Sequence, residues 1–283
     1  RWGGVVPSPE NPMREEDAML REVAVTRLII EDYFKRLTDH LEVDAAICGG
    51  GPAGLVAGAQ LARAGLKVAL FDRKVSLGGG MWGGGMFFNT CVVQPEAEGV
   101  LREFGIRYRS ADGLLAASAV ECVARLVTGA VEAGVEVFNG ITVEDVAVFP
   151  TADGSKRVGG FVINWGTVGA LAARGIGIEV DPLVITSRWA LDATGHPHEV
   201  CRIAREKGLE LGTATGRPVG EGSLWMDAAE QLVVENSRQV FPGLFVCGMA
   251  ANAVFGAPRM GPIFGGMLLS GKKVAQRILE SNG

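Results

Sequence analysis

Apolar residues recur at helical spacing from Glu15 to Leu41, where Leu20, Val23, Val25, Ile29, Ile30, Phe34 and Leu37 form a stripe between charged positions. That period predicts one or two helices. The pattern then changes: VDAAICGGG is an apolar run closed by glycines, GPAGLVAGAQLARAGL an apolar helix ending at Gly65, and KVALFD a second apolar strand. Strand, helix and strand in this order and of this length make a βαβ unit. VSLGGGMWGGGMFFN follows and is too rich in glycine for a regular element. Residues 95–107 and 116–134 predict helices, VEVFNGITVEDVAVF a strand, turn and strand, and RVGGFVINW a further strand. Residues 166–177 fit a loop or a weak helix, DPLVITSRWALDATG a buried strand pair, and PHEVCRIAREKG a helix. Residues 208–240 show no clear period. GLFVCGMAANAV and GPIFGGMLLSGKKVAQRILE predict a strand, a Gly-rich loop and a long final helix.

The elements add up to an α/β protein with a Rossmann-type parallel sheet, like that of the two-dinucleotide-binding flavoproteins, carrying a β-rich insertion. No repeat or linker divides it, so residues 15–283 are expected to form one domain and residues 1–14 a flexible or extraneous N-terminal extension, with Met13 a candidate first residue. Composition narrows the functions. A chain of 283 residues that is 48% hydrophobic and 21% charged can build a substantial core. Its net charge of −5 and lack of a basic run argue against nucleic acid as a partner. Five cysteines without a C-x-x-C pair argue against a zinc ribbon or a disulfide framework, and fit a reducing cytoplasm. Apolar runs are too short to span a membrane, and the Pro-rich, acidic N-terminus lacks the apolar core of a leader.

The strongest local signal is ICGGGPAG. Gly49, Gly51 and Gly54 satisfy G-x-G-x-x-G between a strand and a helix, which lets backbone approach a pyrophosphate at the helix N-terminus. Asp72 closes the second strand, where a carboxylate accepts hydrogen bonds from ribose hydroxyls. Arg73 and Lys74 follow as candidate phosphate contacts or plain surface charge. The stretch GIEVDPLVI raises a separate question: in an extended chain Glu179 and Asp181 project from one face, which suits a solvated edge or a metal site.

The order of elements resembles that of flavoproteins in which a late strand ends in Gly-Asp and the Asp binds the flavin ribitol. Here Gly248 is followed by Met249, so that acid is missing. Three other segments, LGGGMWGGGMFFN (77–89), VDP with DATGH (180–182 and 192–196) and APRMGPIFGGMLLSG (257–271), resemble the thiazole synthase family of thiamin biosynthesis. The N-terminal helix and FVINW resemble its archaeal and bacterial branch, and the likeness runs from about residue 20 to the end.

The resemblance implies a flavoprotein-like fold whose dinucleotide is NAD, used as a substrate and combined with glycine and a sulfur source into an adenylated thiazole carboxylate. In one form of the family a Cys before the Asp-Pro gives up its sulfur. In the other that position is commonly His, and free sulfide is used with Fe(II). Here the position is Glu179, so the resemblance implies sulfide use, multiple turnovers and no sacrificial Cys. It also implies iron on Asp181 and His196, with Glu179 a weaker third candidate. Arg259 becomes the clamp for the glycine carboxylate, Met260 and Gly261 line the same pocket, and Gly79 and Gly80 wall the ribose and pyrophosphate. Homo-oligomers, usually octamers, are expected.

Taken alone these residues have plainer uses. Asp before Pro commonly caps a turn, while His196 and His198 suit a loop and His40 a helix end. Trp82 suits packing. Two other functions stay open on the residues: an FAD-dependent oxidoreductase, disfavoured by the missing acid after Gly248, and a non-catalytic protein that binds NAD or ADP-ribose.

Overall fold

The computed structural model describes residues 21–281 except 173 and 178, and the chain divides into two units, Arg1–His40 and Leu41–Gly283. The expected extension at 1–14 and Leu20 of the stripe lie outside the described residues. In the first unit, helix α1 (Glu22–Asp39) carries the i, i+4 pairs Asp32–Arg36 at 3.0 Å and Lys35–Asp39 at 2.6 Å on its polar side. Val23, Val25, Ile29, Ile30 and Phe34 of its apolar stripe are exposed.

The second unit opens with the expected βαβ: β1 (Glu42–Cys48), α2 (Pro52–Arg63) and β2 (Val68–Asp72), with the strands parallel and Cys48 beside Phe71. The glycine-dense stretch then makes two short 3-10 turns, Met81–Gly83 and Gly85–Phe87. Next come β3 (Thr90–Val93), α3 (Glu98–Glu103), β4 (Arg109–Ala111), β5 (Leu114–Ser118) and α4 (Ala119–Glu132). The predicted helix at 95–107 is therefore shorter than its pattern, and a small antiparallel sheet, β3-β5-β4, stands where helix and loop were expected. These strands are only 3–5 residues long, too short to show an alternation.

The chain continues through β6 (Glu136–Asn139), β7 (Ile141–Pro150), β8 (Lys156–Trp165), α5 (Gly166–Ala172), β9 (Leu183–Asp192) and α6 (Glu199–Glu206). It ends with β10 (Gly222–Leu224), α7 (Met226–Glu235), β11 (Gln239–Phe241), β12 (Leu244–Val246), α8 (Met249–Phe255), β13 (Pro258–Arg259) and α9 (Gly265–Glu280). The main sheet runs β11-β12-β9-β1-β2-β6, in which β12, β9, β1, β2 and β6 are parallel. The antiparallel hairpin β7–β8 joins it through the first half of β9 and is the β-rich insertion. This is the expected Rossmann-type α/β class. Apolar residues of α2, α4 and α9 pack with those of β1 and β2 into one core that includes Leu55, Leu61, Leu70, Leu126 and Ile278.

Two expectations need correction. DPLVITSRWALDATG holds one ten-residue strand, Leu183–Asp192, rather than a pair. Glu179 and Asp181 precede it in exposed, irregular chain and so share no strand face. The reason lies in the pairing: Leu183 opposes Ile163, and two residues after Ile163 β8 ends and turns into α5. In that register Asp181 falls opposite Trp165, the last residue of β8, nothing of β8 continues opposite Glu179, and Pro182 supplies no N–H for a ladder. The loop after Gly248 is also more regular than its composition suggested, since it holds α8.

Candidate active site

A cavity of about 590 Å³ opens at the carboxyl ends of the parallel strands, with Cys48, Asp72 and Ala193 in its wall. Open α/β sheets place their ligands there. The glycine turn shapes one side. A side chain on Gly49 would stand 2.4 Å from the Ala193 carbonyl oxygen, and one on Gly54 would stand 2.1 Å from the Gly49 carbonyl oxygen. These two positions lock the turn, the next strand and α2 together at backbone distance. Gly51 differs: nothing lies within 4 Å of where its side chain would be. It lines the cavity as the N-cap of α2, without a capping side chain and with Pro52 following. The first amides of α2 and the positive end of its dipole are thus left for an anion.

Asp72 lines the same space and braces the turn. One oxygen accepts from the Gly50 amide at 2.7 Å and the other from the Lys74 amide at 2.7 Å. A carboxylate oxygen has two lone pairs, so both can still accept a ribose hydroxyl. Arg73 also lines the cavity, and its guanidinium is tied at 2.5 Å to Glu199, another wall residue. Gly79 and Gly80 face the cavity from the glycine-dense turn, which the Gly78 amide fastens to the Gly50 carbonyl at 2.7 Å.

The DATGH turn forms the opposite wall. Asp192 is fully buried at the end of β9 and accepts three hydrogen bonds: the Thr194 amide at 3.0 Å, the Thr194 hydroxyl at 2.7 Å and the Cys201 amide at 2.9 Å. The last of these satisfies an open amide in the first turn of α6. Thr194 Oγ1 accepts in turn from the Glu199 amide at 2.7 Å. One buried carboxylate therefore fixes the turn that presents His196 to the cavity. His196 Nδ1 lies 2.5 Å from Glu221 Oε1, and Arg259 Nε lies 3.8 Å from the other oxygen of Glu221. Arg259, Met260 and Gly261 all line the cavity.

The structure thus gathers Gly49, Gly51, Asp72, Arg73, Gly79, Gly80, His196, Arg259, Met260 and Gly261 around one space, with Gly54 packed beneath it. Glu179 and Asp181 do not line it. His198 keeps to its turn, with a left-handed backbone and Nδ1 on the His196 carbonyl at 2.9 Å. Trp82 donates to the Leu77 carbonyl at 2.6 Å and stays out of the wall. Sequence reasoning missed Thr194 and Glu199 in the cavity wall and Glu221 behind it. Thr194 lay inside a motif already noticed. Glu221 lies in 208–240, where no periodicity set one carboxylate apart from its neighbours.

A metal centre does not follow from one chain in this arrangement. Among the described residues no three His, Cys, Asp or Glu side chains are gathered as an ion requires. The pair expected to hold iron is split, with His196 at the cavity and Asp181 outside it. Sulfur chemistry by the protein itself is also poorly served. All five cysteines are free and buried, and of these Cys48 lines the cavity. Burial, and then the negative charge of Asp192, Glu199 and Asp72, raises the Cys48 thiol well above its ordinary range. The thiolate is the nucleophile, so Cys48 is held inert at neutral pH.

A parallel sheet with a glycine turn at its first crossover, an acid closing the next strand and a cavity at the strand ends define a Rossmann-type α/β protein with the fold of the flavoproteins. A sequence model of the Thi4 family matches residues 26–264. The thiamine thiazole synthase of Pyrococcus abyssi is 50% identical over 263 residues, which is 93% of this chain and 98% of its own length. That of Methanothermobacter thermautotrophicus is 49% identical over 263 residues, 92% of this chain and 98% of its own. The crystal structure of Thermovibrio ammonificans THI4 superposes with a TM-score of 0.89 at 49% identity, covering 93% of this chain and 99% of that one. The chain belongs to the Thi4 family.

Proposed function

We propose that the protein makes the thiazole precursor of thiamin, an adenylated thiazole carboxylate, from NAD, glycine and sulfide. One observation carries the reading: a single cavity is lined both by a dinucleotide cradle and by Arg259 and His196. NAD lies with its adenosine ribose on Asp72 and its pyrophosphate at the first amides of α2. Loss of nicotinamide leaves an ADP-ribose whose opened sugar condenses with the amine of glycine. Arg259 takes the glycine carboxylate on its guanidinium fork, which matches a carboxylate in two hydrogen bonds. His196 stands in the same wall and offers the space an imidazole nitrogen of the kind that ligates metals.

Sulfide comes from solution in this reading, because the one cysteine in the wall is a protonated, buried thiol. The protein then survives each cycle and turns over repeatedly. The family match at about half identity supports thiazole synthesis; NAD, glycine and sulfide are our assignments to the cavity. Iron on Asp181 and His196 is a proposal about assembly. Asp181 is exposed away from the cavity, so a second copy of the chain in a homo-oligomer, which we take to be an octamer, supplies it. The exposed apolar stripe of α1 supports such self-association. Among the described residues no helix is long and apolar enough to cross a membrane, and we place the activity in the cytoplasm.

The test is an anaerobic incubation with NAD, doubly labelled glycine, Fe(II) and sulfide. An adenylated product containing the glycine carbon and nitrogen, with matching nicotinamide release, supports the reading. Bound NAD with no glycine label in any adenylated species identifies a binding protein instead. A purified protein with flavin absorbance identifies an oxidoreductase.

A further inference from the structure

Glu221 has no place in the reading above, yet its carboxylate lies against both His196 and Arg259. It does not line the cavity; it sits behind the wall and is held by residues that do. Its side chain is 17% exposed, whereas those of His196 and Arg259 are 53% and 59% exposed. The local fold explains the placement. β10 and β13 pair in parallel, with Leu224 beside Arg259, the Gly222 amide on the Ala257 carbonyl at 2.9 Å and the Trp225 amide on the Arg259 carbonyl at 3.2 Å. That short ladder fixes the residue before β10, Glu221, next to Arg259. The DATGH turn brings His196 to the same carboxylate from the other side.

We propose that Glu221 is a positioning residue for the thiazole-forming reaction, setting the proton location on His196 and the orientation of Arg259 with one carboxylate. The inference rests on the function proposed above. A carboxylate only accepts hydrogen bonds, so the neutral His196 ring must carry its proton on Nδ1. Nε2 is then left with its lone pair for the cavity. Such partners fix ring tautomer and orientation in many histidine sites. On the other side, Glu221 faces Nε of Arg259 at an ion-pair distance of 3.8 Å, so that among the described residues the two terminal nitrogens are left as a fork for a substrate carboxylate. Substrate acid and the His196 imidazole are thereby referenced to the same carboxylate, and their relative position is set before glycine arrives.

The test compares Glu221→Ala and Glu221→Gln with the wild type and with Glu206→Gln, an exposed control paired to Arg202 along its own helix. With three histidines in the chain, nitrogen-15 histidine labelling and solid-state NMR at one fixed pH read the His196 tautomer directly. His40→Gln and His198→Gln assign the signals. The wild type and Glu206→Gln are expected to show the Nδ1-protonated ring. Glu221→Ala should lose that preference, with kcat down about 10–100-fold and the glycine KM up about tenfold or more. Glu221→Gln offers an amide oxygen to Nδ1 but no charge to Arg259. It should restore the tautomer and most of kcat while the glycine KM stays raised.

An unchanged tautomer in Glu221→Ala, or kcat and KM together within twofold of wild type, overturns the proposal. So does a Gln variant that behaves like Ala in both readouts. If the wild type makes no thiazole but the tautomer still shifts in Glu221→Ala, the assigned reaction falls and Glu221 stands as the group that orients His196.

Discussion

Replacing Gly51 by Ala separates the ligand role of the glycine turn from its structural role. Gly51 has φ −76° and ψ 178°, a conformation open to any residue, and the added methyl meets no protein atom within 4 Å. Its cost to folding is confined to the weaker N-cap, at most about 1 kcal/mol, or a fall in Tm of about 2–4 °C. The methyl nevertheless stands in the cavity, at the end of α2 where a pyrophosphate must come close to backbone N–H groups. Losing even one charge-assisted bond of about 1.5–3 kcal/mol raises the NAD Kd roughly 10–150-fold. Gly54→Ala inverts the pattern. Its methyl overlaps the Gly49 carbonyl oxygen at 2.1 Å, so α2 must move off the turn. Overpacking of that kind costs about 1–3 kcal/mol, a fall in Tm of roughly 2–12 °C. Calorimetric titration with NAD and thermal unfolding read both quantities on each variant. Wild-type NAD affinity in Gly51→Ala would refute the placement of the dinucleotide.

Asp192→Asn turns an acceptor oxygen into a donor facing amides or a hydroxyl that themselves donate. With three bonds at stake it should lose about 2–4 kcal/mol in chemical denaturation, and equal stability would show that the DATGH turn needs no buried charge. Arg259→Lys keeps the charge but loses the fork; the glycine KM should rise about tenfold or more, with NAD affinity unchanged by titration. Glu230 is raised above its ordinary 4.5, chiefly by burial and against the opposing Gly266 amide bond. The folded state therefore holds its proton more tightly than the unfolded chain, so the contribution of Glu230 to stability is fully present below pH 4.5 and is lost as pH rises from there through the raised value. Glu230→Gln should abolish that slope in urea melts at several pH values, and an unaltered slope would assign it to another group. After many turnovers the intact mass of the protein should be unchanged, because burial keeps Cys48 a thiol; loss of hydrogen sulfide from any cysteine would identify a sacrificial donor.

The dinucleotide half of the site was legible because its chemistry lies in consecutive residues. Strand, glycine turn, helix and acid form one βαβ unit, and Gly49, Gly51, Gly54 and Asp72 stand where that unit requires. Arg259 and His196 came from a resemblance, and the cavity brings together His196, in the turn after β9, and Arg259, in β13 outside the main sheet. Glu221 was invisible, since it matters only through β10–β13, a ladder of three residues against two with no periodicity to reveal it. The strand assigned to Glu179 and Asp181 failed because alternation alone does not say whether a neighbouring strand is still present. β8 turns into α5 after Trp165, two residues short of the position that would face Glu179. The small sheet β3-β5-β4 was lost for a related reason, since 3–5 residues cannot carry a detectable period.

The measurement closest to the central claim is the number of thiazole molecules released per protein chain under anaerobic conditions, with NAD, glycine and Fe(II) in excess and sulfide varied. The account predicts a count well above one that rises with sulfide and stops without it. A count that saturates at one per chain, or product formed equally well without sulfide, would contradict it.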